Sequence, residues 1–72
     1  MNKTKQENYE RKMDSQIKCI SQKLSMFDID SNDSECLEIA EFENREGFGL
    51  EALNLEGFNN VEEILHTLDW MR

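Results

Sequence analysis

The sequence predicts a small, mainly α-helical domain with a long N-terminal helix and a short C-terminal helix. Apolar residues between Met13 and Phe27 recur at alternating intervals of four and three, which is the period of one helix face. A second run of this kind lies between Val61 and Met71. The chain has no proline, and Ile39 is the only β-branched residue from 36 to 58, which disfavours strands. At 72 residues, positions 1–72 form a single domain with a thin core.

The first helix is predicted over Thr4 to Phe27. Thr4 and Glu7 have the spacing of a capping box at its N-terminus. One apolar stripe runs along this helix, through Met13, Ile17, Ile20, Leu24 and Phe27. The stripe covers little more than two heptads, whereas coiled coils normally need three or four. We therefore expect it to pack within the chain, against the last helix.

The middle of the chain allows two interpretations. As a helix, residues 35–46 place Glu38, Glu41 and Arg45 on one polar face, and this is the preferred interpretation. The alternative is an α+β fold with a β-hairpin at about 36–55 between the two helices. Asn44 and Gly47 would suit the first and fourth positions of its type I turn. Gly47 suits the end of a helix equally well.

The last helix is predicted over residues 60–71, with Asn59 or Asn60 as its N-cap. Its apolar stripe contains Val61, Ile64, Leu65, Leu68 and Met71. Trp70 is expected to cover the edge of the core, where its N–H would need a hydrogen-bond partner.

Charge is distributed unevenly along the chain. Residues 1–26 carry six basic and three acidic residues, a balance of +3, while residues 27–72 carry two basic and thirteen acidic residues, a balance of −11. These sum to the net charge of −8. An acidic body repels phosphates and attracts basic proteins. We therefore expect a basic protein partner and no direct binding to nucleic acid.

The location expected for the protein is the cytoplasm. No segment has the length and apolar character of a membrane span, and the charged N-terminus has no apolar stretch behind it. Cys19 and Cys36 are expected to be reduced, since their spacing alone does not support a disulfide.

The turn "DIDSNDSE" suggests calcium as one use of the acidic residues. The frame that starts at Asp30 resembles an EF-hand loop at six positions, ending with Glu41 at position 12. Position 6 is Glu35 where that loop needs glycine, and the chain has no second loop. A solvated capping turn is therefore the preferred interpretation, with a degenerate calcium loop as the third functional hypothesis.

Catalytic and metal chemistry have little support. Glu62, His66 and Asp69 share one face of the last helix, but three ligands on a short surface helix are more typical of a solvated polar face. The chain has one histidine, no recognisable nucleophile motif and no phosphate-cradling glycine loop. We expect no enzymatic activity, no cofactor and no metal.

The acidic segment 28–46 is the main functional signal. We expect it to bind a basic, nucleic-acid-binding enzyme or defence complex and to inhibit or modulate it, as a nucleic-acid mimic or a phage-encoded inhibitor of the anti-CRISPR kind would. The residues expected to bind this partner are Asp30, Asp33, Glu35, Glu38, Glu41 and Glu43. The alternative is a helical adaptor or homodimer that associates through the stripe of the first helix.

Overall fold

The computed structural model describes the backbone of residues 2–72 and the side chains of residues 13–72. Three α-helices are present in this part of the chain: α1 (Asn2–Met26), α2 (Asp33–Glu46) and α3 (Val61–Met71). Two short 3-10 helices, Leu50–Ala52 and Leu55–Gly57, connect α2 to α3. No residue from 2 to 72 lies in a β-strand. The predicted helical fold is confirmed, and the alternative hairpin at about 36–55 is wrong, because α2 and the 3-10 helices occupy its place.

The first two helices form an antiparallel hairpin. The Asn44 amide of α2 donates to Met13 Sδ at 3.3 Å, and the Gln16 amide of α1 donates to the carbonyl of Ala40 at 3.5 Å. The principal partner of α1 is thus α2, whereas the sequence had suggested the last helix. A short turn over residues 27–32 causes this, since it returns the chain directly onto α1. The capping box predicted at Thr4 and Glu7 lies outside the described side chains.

One hydrophobic core joins all three helices. Its buried members are Ile20, Leu24, Ile29, Cys36, Ile39, Ala40, Phe42, Leu50, Leu55, Val61, Ile64 and Leu68. Met13 and Ile17 are half-buried against it, while Phe27 is 36% exposed. The middle of the α1 stripe is therefore used within the chain, as expected of a helix that packs in its own domain.

The end of α1 is a Schellman motif, which explains much of the acidic turn. The N–H of Ile29 donates to the carbonyl of Leu24, and the N–H of Asp28 donates to that of Ser25, both at 3.0 Å. Asp28 adopts the left-handed conformation with φ of 58°, as the motif requires. Ile29 and Leu24 are both buried, so the motif also anchors the turn to the core.

Replacing Asp28 with glycine is expected to stabilise the protein by roughly 0.5–1 kcal/mol. A left-handed residue with a Cβ costs about 1–2 kcal/mol, and glycine avoids this at an entropic cost of about 0.5–1 kcal/mol. Urea denaturation of both proteins measures the difference. Asp30→Gly is the matched control. Asp28 is the non-glycine residue with a left-handed conformation among the described residues, so glycine at position 30 relieves no such strain. A lower midpoint for Asp28→Gly than for the wild type would contradict this account.

Both ends of α2 have strong helix signals. At the N-terminus, the side chain of Asn32 accepts from the N–H of Glu35 at 2.8 Å, and Glu35 accepts from the N–H of Asn32 at 2.9 Å. At the C-terminus, Gly47 has a φ of 83° and donates to the carbonyl of Glu43. These two caps confirm the helical interpretation of residues 35–46 and identify Gly47 as a helix end.

Helix α3 begins where the sequence predicts. Asn60 is the N-cap, and its side chain accepts from the N–H of Glu63 at 2.9 Å. Val61, Ile64 and Leu68 are fully buried, whereas Met71 is 44% exposed. The prediction for Trp70 is wrong: its side chain is 84% exposed and does not cover the core. No helix in the described part of the chain combines the length and apolar character needed to cross a bilayer.

Candidate functional site

Four of the six predicted binding residues present their side chains to solvent. Asp30 lies in the turn before α2, while Asp33, Glu38 and Glu41 lie on the side of α2 away from the core. None of these four carboxylates takes part in an ion pair or in a side-chain hydrogen bond with the described residues. We refer to this set, Asp30, Asp33, Glu38 and Glu41, as the acidic face.

Glu35 is held in a different way from these four residues. Its side chain is half-buried, and Oε1 accepts the backbone N–H of Asn32. The carboxylate therefore completes the capping box and supports the start of α2. Any contact with a partner would compete with this bond.

Glu43 lies between the helix hairpin and the loop that follows it. Its Oε1 accepts from the Gln16 amide of α1 at 3.1 Å, and its Oε2 accepts from the N–H of Leu50 at 3.1 Å. A Cβ at Gly49 would overlap the Glu43 side chain, so glycine allows the carboxylate to lie against the backbone there. The structure thus places Glu43 inside the fold as a link between α1, α2 and the first 3-10 helix.

The position of Glu43 has a sequence signal that a search for acidic clusters overlooks. It follows Ile39 by four residues and Ala40 by three, which puts it on the same helix face as these buried side chains. Glu35 has an equally clear signal, three residues after the capping Asn32. Helical spacing thus separates two structural carboxylates from the four on the acidic face.

A shallow groove of about 410 Å³ lies between α2 and α3 beside the acidic face. It is lined by Glu38, Glu41, Phe42, Arg45, Leu65 and Asp69. Three carboxylates thus surround a partly apolar floor. The side chain of Arg45 is directed to Glu46, with Nε 3.0 Å from Oε2, and its guanidinium lies 5.7 Å from the centre of the Phe42 ring. A groove of this kind suits a long basic side chain, whose methylene stem is apolar and whose head is cationic.

Charge density along α2 is a little over half that of one nucleic-acid strand. From Asp33 to Glu41 the helix rises roughly 12 Å, so its three exposed carboxylates are spaced by about 6 Å on average along the axis. Phosphates are spaced by roughly 3.4 Å along one strand of duplex DNA. Leu37 lies among these carboxylates and is 39% exposed, which adds an apolar contact at the centre of the face.

The calcium frame does not have the arrangement of an EF-hand loop here. Helix α2 begins at Asp33, the fourth position of the frame, and the Asn32 side chain is used as the helix cap. Among the described side chains, no group of three or more metal-binding residues converges, either here or at Glu62, His66 and Asp69 on α3. Cys19 is exposed and Cys36 is buried, and both are free thiols.

Comparison of the chain with family models, with curated proteins and with solved structures gives no match. The functional argument therefore depends on the geometry and charge of the acidic face and the adjoining groove.

Proposed function

We propose that this protein is a non-catalytic, cytoplasmic binding protein that inhibits or modulates a basic, nucleic-acid-binding enzyme or complex. The acidic face occupies the surface that the partner uses for nucleic acid. A phage-encoded inhibitor of a host enzyme or defence complex would have this size and charge. The observation that carries the proposal is the set of four exposed carboxylates on the turn and α2, none of which is paired with another described side chain.

The groove beside the acidic face supports this proposal. Glu38 and Glu41 belong both to the face and to the groove, where Asp69 of α3 joins them. A lysine or arginine of the partner could therefore enter the groove while neighbouring basic residues meet the rest of the face. Association through such a surface would be fast and sensitive to salt.

The adaptor or homodimer alternative has less surface to act through. It depends on the α1 stripe, but Ile20 is 4% exposed and Leu24 is fully buried against the rest of the chain. Ile20→Asp would therefore perturb the core before it tested any dimer. The stripe offers a second protein only the outer parts of Met13, Ile17 and Phe27.

Reversing charge at Glu38 and Glu41 is expected to abolish binding to the partner. The experiment compares tagged wild type with Glu38→Lys/Glu41→Lys in capture from a host lysate, with elution in a salt gradient and mass spectrometry. We expect the wild type to retain a basic nucleic-acid-binding protein that moderate salt releases, and the double variant to lose it. Asp33 is left unchanged because it does not line the groove, whereas Glu38 and Glu41 belong to both the acidic face and the groove.

The matched control is Glu56→Lys/Glu62→Lys. Both variants change the net charge from −8 to −4, since each substitution adds two charges, and Glu56 and Glu62 are exposed outside the acidic face. The proposal requires that the control variant retain the partner. It also requires that duplex DNA compete with the wild-type protein for binding to the partner. Equal retention by Glu38→Lys/Glu41→Lys would overturn the proposal.

A further inference from the structure

The most exposed large apolar side chain among the described residues is Trp70, at 84%. Successive residues of a helix are about 100° apart, so Trp70 lies about 200° around α3 from the buried Leu68. Rotation of α3 to bury the indole would expose Ile64 and Leu68. The fold therefore holds the ring away from its own core.

The surroundings of Trp70 limit what can cover it. His66 and Glu63 lie one and two turns before it, respectively, on the outer side of α3, and the adjacent Asp69 lines the groove beside the acidic face. Arg72 follows Trp70 by two residues, and its Nε lies 3.0 Å from Oδ1 of Asp69. An anionic lipid surface, a nucleic acid or residues 27–72 of a second copy, which have a balance of −11, would bring like charge to this region, whereas a basic protein would bring opposite charge.

We propose that Trp70 is a stacking platform for arginine side chains of a basic protein segment that docks on the outer face of α3. The indole ring is the best aromatic acceptor for a cation, and guanidinium groups stack on it more readily than ammonium groups. This inference depends on the proposed basic partner and adds a contact that discriminates arginine from lysine. The acidic face attracts the basic segment, and Trp70 favours segments that carry arginine over segments that carry lysine.

The test uses an oligoarginine and an oligolysine peptide of equal length and charge as probes. Because Trp70 is the only tryptophan, its fluorescence reports on this site alone. We expect oligoarginine to change the emission of Trp70 and to bind about two- to fivefold more tightly than oligolysine, the effect of one exposed cation–π contact. In Trp70→Leu, measured by calorimetry, the ratio of the two affinities should fall by this factor, to the preference that carboxylates alone have for guanidinium groups.

Two further variants control this experiment. Trp70→Phe keeps a smaller ring and should retain part of the arginine preference, while Met26→Ala removes another exposed apolar side chain and should retain all of it. Circular dichroism establishes that each variant is folded. Equal affinities of the wild type for both peptides, or an arginine preference that is undiminished in Trp70→Leu, would overturn the inference. So would self-association of the wild type that Trp70→Leu abolishes.

Failure of the proposed function gives a different result. If Glu38→Lys/Glu41→Lys bound both peptides as tightly as the wild type and kept the arginine preference, the acidic face would be overturned and the stacking platform supported. If that variant lost affinity for both peptides while Trp70→Leu behaved as the wild type, the acidic face would be supported and the stacking platform overturned.

Discussion

Replacing Leu24 with alanine is expected to unfold most of the protein. The Leu24 side chain is fully buried, and Ile29, whose N–H donates to the carbonyl of Leu24 at the turn between α1 and α2, is buried in the same core. Buried leucine-to-alanine changes cost about 2–5 kcal/mol. A core of this size rarely supplies more than about 3–5 kcal/mol in total. A single substitution can therefore remove nearly all of the stability.

Urea denaturation followed by circular dichroism measures this effect. Leu37→Ala is the matched control, because Leu37 is 39% exposed on α2 and its truncation should cost less than about 1 kcal/mol. Similar midpoints for the two variants would show that the core around Leu24 does not hold the hairpin together.

Replacing Glu43 with alanine is expected to destabilise the protein by about 1–3 kcal/mol. The substitution removes the acceptor for the Gln16 amide and leaves the N–H of buried Leu50 without its partner. An unsatisfied buried donor typically costs this much. We expect Glu43→Gln to be intermediate, since its one carbonyl oxygen can accept only one of the two donors at full strength.

The control for this prediction lies on the opposite side of the same helix. Glu41→Ala changes an exposed carboxylate and should alter the free energy of unfolding by no more than about 0.5 kcal/mol. The effects on partner binding should have the reverse order. In folded protein, Glu41→Ala should lower the affinity for the partner more than Glu43→Ala does. If Glu43→Ala left stability unchanged and abolished binding, Glu43 would belong to the interface and not to the fold.

Much of the helical structure was predictable from local sequence. The spacing from Met13 to Phe27 and from Val61 to Leu68 identifies two helix faces, and Asn60 marks the start of α3. Residues 35–46 were harder, because turn and helix-end signals coincide at Gly47. In the structure, Gly47 has a left-handed φ of 83° and ends α2.

The candidate site was only partly predictable, because composition does not distinguish exposed carboxylates from internal ones. Glu35 and Glu43 are the same residue type as Glu38 and Glu41, yet Glu35 caps α2 and Glu43 accepts from the N–H of Leu50. The participation of Asp69 depends on how α3 crosses α2, a long-range arrangement that helical periodicity does not encode.

The sequence by itself determined the first and last helices, the excess of acid after residue 26 and the apolar stripe of α1. These properties depend on neighbours within one or two helical turns, where spacing and capping act. Only the tertiary structure decided that α1 pairs with α2, that the Glu43 carboxylate accepts from Gln16 and Leu50, and that Trp70 faces solvent. The physical reason is that burial depends on which helix faces pack together, and the short turn anchored by Ile29 determines that packing.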